Sequence, residues 1–384
     1  MQNFPSSAAE HLPAILHVVD TLETGGLERV VSDLAIAQHA RGHDTAVFSL
    51  LATDGFRREL EAAGVPVIIG NKQGTLDRKL LGHLRQTLAD RSVDILHTHN
   101  FVPNYYAAIA SLALRRAPLL VNTCHNMGSR LAQRRLRWLY RASLLRTARV
   151  ALVGDQVRDH LVRTGIVSAT RAATVINGIP VERFGSSPLR RQAARARLGL
   201  VDADLVIGCV GRLVALKNHA QLIGLMPALL QRHPRLKLIL IGDGPLAAEL
   251  TTQVVTLGVG DRVSLAGAQS DIASLLPALD VFAQPSLTEG ISIALLEASA
   301  SGLAMVASDV GGNAEIIRNN ETGLLVPVAN DAALLTALDR LLADADLRQR
   351  LGSAASDWVR AHASIEVMSD AYEAFYCDAR NSRK

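Results

Sequence analysis

Long hydrophobic runs are missing from this chain. No stretch of about 18 consecutive apolar residues occurs, so no segment reads as a membrane-spanning helix. The opening residues, MQNFPSSAAEHLPAILHVVD, lack a basic segment followed by an apolar one, and a cleaved leader is not expected. Cysteine is scarce: Cys124, Cys209 and Cys377 are far apart and odd in number. That excludes a disulfide framework and a cysteine-based zinc site, and it points to a reducing cytoplasm. Charge of one sign is also in short supply. A net charge of +4 is too mild to argue for nucleic acid, and aromatic residues, at 4%, are too few for base-stacking platforms. The turn after the first apolar run is TLETGGLERVV, not G-x-G-x-x-G, so the dinucleotide fingerprint is absent.

What the chain does have is apolar residue, 49% of 384, enough for a large core and, at about 150 residues per domain, for two domains. Short β-branched runs alternate with longer amphipathic stretches. Strands are predicted over 14–20, 44–51, 65–69, 93–99 and 118–125, with helices over 27–41, 56–63, 76–90 and 104–114 between them. The alternation restarts with strands over 204–211, 236–244, 262–267, 281–286, 303–309 and 323–328. This pattern implies an α/β class built of two Rossmann-like halves with parallel sheets, joined near the Gly-, Pro- and Ser-rich VINGIPVERFGSSP (175–188). The boundaries expected are 1–178 plus a C-terminal helix in 364–384 for the first domain, and 179–363 for the second.

In open parallel sheets ligands gather beyond the C-terminal strand ends, so chemistry is sought there. Gly25 and Gly26 open a helix and leave bare N–H groups for an anion or a sugar; the plainer alternative is a tight turn with Glu28 in the first helical turn. VDILHTHN puts His97 and His99 on one side of a strand end, followed by Asn100, and VNTCHN puts His125 at another. No carboxylate or cysteine accompanies these histidines at ligand spacing, so hydrogen bonding to hydroxylated ligands is the preferred reading over a metal site. In CVGRLVALKNH, Arg212 and Lys217 follow a strand and suit a diphosphate, the one through bidentate bonds and the other as a point charge. LIGDGP brings the backbone at Gly242 close to a ligand, or simply turns the chain.

The segment TEGISIALLEASASG (288–302) combines two acids with a predicted helix start near Ile291. The N–H groups of Gly290, Ile291 and Ser292 would then face phosphate oxygens. An acid beside phosphate is repelled unless it faces neutral hydroxyls. Glu289 and Glu297, the latter about two turns into the helix, are therefore read as partners of sugar hydroxyls and of a ribose diol. The competing reading is a capped amphipathic helix with two solvated acids.

The ordered set TGGLERVV, DILHTHN, NTCHN, VINGIP, VGRLVALKN, IGDGP, TEGISIALLEASASG and SDVGGNAEII resembles family 4 of the retaining glycosyltransferases and covers nearly the whole chain. The resemblance implies a GT-B fold: two Rossmann-like domains facing across a cleft, with the C-terminal helix crossing back to the N-terminal domain. It implies that Arg212 and Lys217 bind and neutralise a departing diphosphate. Glu289 would bond the sugar and Glu297 the ribose, while Gly290 to Ser292 and Gly26 hold phosphate. His125 would lie by the reacting face of the sugar, with His99 and Asn100 on the acceptor side. The nucleobase would be held by backbone near Gly267 to Gln269, and Gly242 would line the donor site. No metal or other cofactor is implied, and no D-x-D motif appears at a strand end. Two departures stand out: Asn218 follows Lys217 where the family often has glycine, and Ser292 stands where it often has proline or glycine.

Seven arginines and no acid lie between Gly128 and Val150. Arg130, Arg134, Arg137 and Arg141 recur at helical spacing beside Leu131, Trp138, Leu139 and Leu145, as in a basic amphipathic helix on a membrane surface. The expectation is a cytoplasmic protein, peripheral on an anionic inner leaflet. It would use a nucleotide sugar and a sugar or lipid-linked sugar acceptor in polysaccharide or glycolipid assembly. Two other functions are compatible with the same fold. A nucleotide-sugar epimerase would need acid and base groups placed differently, and a non-catalytic sensor should have lost one of Arg212, Lys217 or Glu289.

Overall fold

The computed structural model describes residues 12–112, 114–125 and 133–382. They form two compact units: Met1–Leu152 with His160–Val175 and Ser369–Lys384, and Val153–Asp159 with Ile176–Met368.

The first unit holds a seven-stranded parallel sheet in the order β3-β2-β1-β4-β5-β6-β7. Its strands are β1 (Ile15–Val19), β2 (Thr45–Ser49), β3 (Val67–Ile69), β4 (Ile95–His99), β5 (Leu119–Cys124), β6 (Val150–Leu152) and β7 (Ala172–Thr174). Its helices are α1 (Gly26–Ala40), α2 (Arg57–Ala62), α3 (Arg78–Asp90), α4 (Phe101–Ser111) and α5 (Arg134–Leu144). The boundary with the second unit passes through α6 (Asp155–Arg163). β1, β2, β4 and β5 are buried along their whole length; β1 and β2 read as mainly apolar runs, whereas β4 (ILHTH) and β5 (LLVNTC) begin apolar and carry buried polar residues toward their C-terminal ends. β6 and β7 escaped the sequence reading because three residues each, VAL and AAT, carry too short a pattern.

The second unit holds a six-stranded parallel sheet in the order β10-β9-β8-β11-β12-β13. Its strands are β8 (Leu205–Val210), β9 (Leu236–Ile241), β10 (Val263–Leu265), β11 (Val281–Gln284), β12 (Ala304–Ser308) and β13 (Leu324–Val326). Its helices are α7 (Pro188–Arg197), α8 (His219–Arg232), α9 (Ala247–Thr256), α10 (Ile293–Ala300), α11 (Asn313–Ile316), α12 (Asp331–Ala343) and α13 (Ala345–His362). Two apolar clusters cover the two faces of this sheet, one around Phe282, Leu295 and Met305 and the other around Ile207, Leu238 and Val306. The last helix, α14 (Ile365–Asn381), begins in the second unit, and from Ser369 its residues belong to the first. There Tyr372 and Tyr376 are buried.

Each sheet has one place where strand order reverses direction, and each puts its informative loops there. In the first it lies between β1 and β4, where His17 pairs in register with His97. In the second it lies between β8 and β11, where Ile207 pairs with Val281. Two loops leaving adjacent strands at such a point diverge to opposite faces and open a crevice between them.

Candidate active site

In the second unit the crevice is lined by the loop after β8 and the loop after β11. Lys217 and Glu289, 72 residues apart, meet there with Nζ to Oε1 at 2.5 Å. The same Oε1 accepts from Ser286 Oγ at 2.6 Å and from Gln284 Nε2 at 3.0 Å. The Glu289 side chain is only 8% exposed, and such burial of a charge is tolerable because three donors converge on it. All three bonds fall on one oxygen, which leaves Oε2 for a ligand. Lys217 has spent one of its three N–H donors on Glu289, and two remain for oxygens of an anion. Arg212 is exposed and its guanidinium has no side-chain partner among the described residues. Ser286 and Gln284 were not singled out in the sequence; their place at the end of β11, three and five residues before Glu289, is the signal that was available.

Asn218 has φ 53° and ψ 39°, the left-handed conformation, directly before α8. Glycine and asparagine tolerate this backbone best, so the departure at 218 keeps the turn that presents Lys217.

The start of α10 corrects one expectation. The helix begins at Ile293, not near Ile291, with Ser292 as its N-cap accepting from Leu295 N. Ile291 is 7% exposed and its side chain joins the core, and Glu297 lies a little over one turn in rather than two. The N–H groups of Gly290 to Ser292 therefore belong to a bend that leads into the helix, with Ser292 itself extended. A second loop fixes that bend: Gly312 N donates to Gly290 O at 2.7 Å. A Cβ on Gly311, where φ is +52°, would lie 2.0 Å from Glu289 O. SDVGGNAEII thus holds the Glu289 loop in place, a role its sequence did not reveal. Gly242, at the end of β9, has φ +145°, and its N–H donates to Gly267 O at 2.9 Å, which ties the two turns at neighbouring strand ends together.

In the first unit α1 starts at Gly26, with Gly25 extended as N-cap and Glu28 in the first turn, its carboxylate turned back toward Gly25. His125 follows β5 and is nearly buried; its N–H donates to Asn100 Oδ1 at 2.9 Å and its Nε2 lies 3.0 Å from His99 Nδ1. His99, also buried, bonds His17 through its other nitrogen at 3.0 Å. Both nitrogens of His99 are thus occupied by neighbouring rings, so the acceptor contact expected of it would have to displace one of these bonds. Asn100, at φ 64°, likewise braces His125. Burial holds all of these rings neutral, pulling His17 down to about 4 and His125 to about 3. Nitrogens of His17, His97 and His99 all lie within 4.8 Å of one another. Every ring nitrogen of the three has a hydrogen-bond partner, so a metal there would have to displace several bonds. His17 was missed because only the pairing of β1 with β4 brings it to this cluster.

Arg134, Trp138 and Arg141 on α5 and Leu145 at its C-cap recur at i, i+4, i+7 and i+11 and all are exposed, Trp138 by 68% and Leu145 by 78%. Arg137 and Leu139 are half-buried, so the arginine stripe is narrower than expected. Arg130 and Leu131 lie outside the described residues.

Residues 24–183 match the family model described as Glycosyltransferase Family 4, and residues 190–358 the one described as Glycosyl transferases group 1. The chain is 31% identical over 299 residues, 71% of its length and 75% of the relative's, to the GDP-mannose-dependent alpha-(1-6)-phosphatidylinositol monomannoside mannosyltransferase of Mycolicibacterium smegmatis. It is 27% identical over 300 residues, 76% of its length and 77% of the relative's, to the UDP-Gal:alpha-D-GlcNAc-diphosphoundecaprenol alpha-1,3-galactosyltransferase of Escherichia coli. Among solved structures, Anabaena HepE in complex with UDP and glucose superposes with a TM-score of 0.85 at 22% identity, covering 95% of this chain and 99% of that one.

Proposed function

Since the chain belongs to glycosyltransferase family 4 and has the GT-B fold, we propose that this glycosyltransferase moves a sugar from a nucleotide-diphosphate donor to the hydroxyl of a lipid-linked sugar, with retention of anomeric configuration and without a metal. The observation that carries the chemistry is the Lys217–Glu289 contact at the β8/β11 crevice, with Lys217 in the loop that also carries the exposed Arg212. As the donor bond breaks, negative charge grows on the diphosphate. Arg212 and the two free donors of Lys217 are assigned to that charge, and the N–H groups of Gly290 to Ser292 to its oxygens. Oε2 of Glu289 is assigned to the sugar hydroxyls, Glu297 to the ribose, and the turns at Gly242 and Gly267 to the nucleoside. In the first unit, Gly26 is assigned to phosphate and His125 to the sugar. Fixed cations do here what a divalent ion does elsewhere, so chelators are expected to leave turnover unchanged.

The donor is to be found by incubating the protein with UDP-glucose, UDP-galactose and GDP-mannose in turn. The true donor raises the melting temperature by mass action and yields free nucleoside diphosphate when acceptor is added. Product formed without acceptor consumption, with an isomerised nucleotide sugar, would instead point to an epimerase.

A lipid-linked acceptor is supported by two observations. The two relatives just described are named for acceptors carried on undecaprenol and phosphatidylinositol. The exposed Arg134–Trp138–Arg141–Leu145 face also has the chemistry of a surface helix: cations for anionic headgroups and apolar side chains for the acyl boundary. No helix among the described residues is long and apolar enough to cross a membrane. Contact through this face is peripheral in our reading, on a cytoplasmic leaflet. The protein is expected to float with anionic vesicles at low salt and to be released at high salt. Arg134→Glu with Arg141→Glu should weaken binding by more than tenfold, since each arginine near an anionic surface contributes about 1 kcal/mol. Failure of the wild type to float at any salt concentration ends this part of the reading.

A further inference from the structure

The first unit contains a continuous line of buried side chains that the transfer reaction does not by itself explain. It starts at Gln38 on α1, whose Oε1 lies 2.7 Å from His17 Nε2. His17 Nδ1 is 3.0 Å from His99 Nε2, and His99 Nδ1 is 3.0 Å from His125 Nε2. The line ends at His125 Nδ1, a buried nitrogen with no hydrogen-bond partner among the described residues. Its inner end is anchored from the side: Gln38 Nε2 donates to Tyr376 Oη at 3.1 Å, and Tyr376 Oη is 2.8 Å from His97 Nδ1.

A neutral imidazole carries one proton, so one ring nitrogen donates and the other accepts. That makes the line directional. Gln38 offers a carbonyl oxygen, so His17 must donate from Nε2 and accept at Nδ1. His99 must then donate from Nε2 to His17, and His125 from Nε2 to His99. Each ring passes the constraint to the next, and His125 Nδ1 is left with a lone pair. Reversing the line requires the Gln38 amide to turn over, with Tyr376 and His97 changing roles alongside it. Burial disfavours the alternative of adding a proton anywhere along the line.

We propose that Gln38, His17 and His99 are positioning residues that hold His125 as a neutral hydrogen-bond acceptor, so that the group His125 takes from its substrate is a hydroxyl donating to Nδ1. The last clause rests on the assignment of His125 to the sugar. The physical advantage follows from the charge that develops in glycosyl transfer. The sugar ring becomes positive as the leaving group departs, and a lone pair nearby is compatible with that charge whereas an imidazolium is not.

The test is nitrogen-15 NMR of the full chain labelled at histidine, with His125→Gln supplying the assignment. In the wild type, His125 is expected to carry its proton on Nε2, with at least a tenfold preference over the other tautomer, the worth of about one hydrogen bond. Gln38→Leu removes the terminal acceptor and should bring the two tautomers to near-equal populations. Gln38→Glu, a stronger acceptor of the same shape, should keep the proton on Nε2 and deplete the minor tautomer further. A wild-type His125 protonated on Nδ1 overturns the proposal, and so does a tautomer population that both Gln38 variants leave unchanged. Should Gln38→Leu not fold, Gln38→Glu decides alone: an unchanged or reversed population overturns the relay. No donor is needed for this measurement. A fully active His125→Ala enzyme would therefore sink the assignment of His125 to the sugar while leaving the relay standing.

Discussion

A Lys217→Ala enzyme is expected to release nucleoside diphosphate about 10²–10³-fold more slowly than the wild type, the usual consequence of removing one group aimed at transition-state charge. The loss should fall on kcat more than on KM, because the extra charge on the diphosphate exists only as the bond breaks. Folding should survive. Lys217 is 24% exposed, and without it Glu289 still holds its bonds from Ser286 and Gln284, so the melting temperature should move by no more than about 4 °C. Glu289→Ala should be comparably slow for two reasons. It deletes the acid assigned to the sugar and frees the Lys217 ammonium to wander from its position. Because Lys217 and Glu289 share a bond of 2.5 Å, their effects should not multiply. The double variant is expected to be little worse than the poorer single one. Full transfer rates in Lys217→Ala would refute the assignment of this crevice, whatever the fate of the histidine relay.

The second large effect is expected at a residue with no side chain. Gly311→Ala places a Cβ 2.0 Å from the Glu289 carbonyl oxygen and 2.8 Å from its carbonyl carbon. Both are backbone atoms, so no rotamer change can relieve the clash, and the φ of +52° adds left-handed strain. The loop carrying Glu289 must move, and a displacement of about 1 Å costs on the order of 10² in rate. Stability should fall as well, by about 1–3 kcal/mol. Gly302→Ala is the control. Gly302 has φ +70° but nothing within 4 Å of its Cβ position, so that variant bears the backbone strain without the displacement. It should lose some stability and keep its turnover. Equal rates in the two variants would show that the Gly311 contact does not position the site.

Much of this was legible along the chain because parallel sheets buried on both faces write themselves as apolar runs. Eleven of the strands fall within the segments read from alternation alone, and the helix read over 27–41 lies within one residue of α1 at each end. Motif spacing did the rest: Arg212, Lys217 and Glu289 follow strand ends, and strand ends are where open α/β sheets bind ligands. Local sequence could not place the start of α10, because an apolar run such as ISIALLEA does not say at which residue the first turn begins; Ser292 sets it by accepting from Leu295 N.

Composition and periodicity by themselves determined the class of the fold and the segments where chemistry would be found, since both depend on contacts between near neighbours. Which of these segments meet is settled by the folding of the whole chain. Pairing of β8 with β11 joined Lys217 to Glu289, and pairing of β1 with β4 and of β4 with β5 lined up His17, His99 and His125. The Gly311 loop was pressed against Glu289 in the same way, by chain segments 22 residues apart. Such contacts are set by sheet order and close packing, which no single stretch of sequence encodes, because each depends on where a distant segment comes to rest.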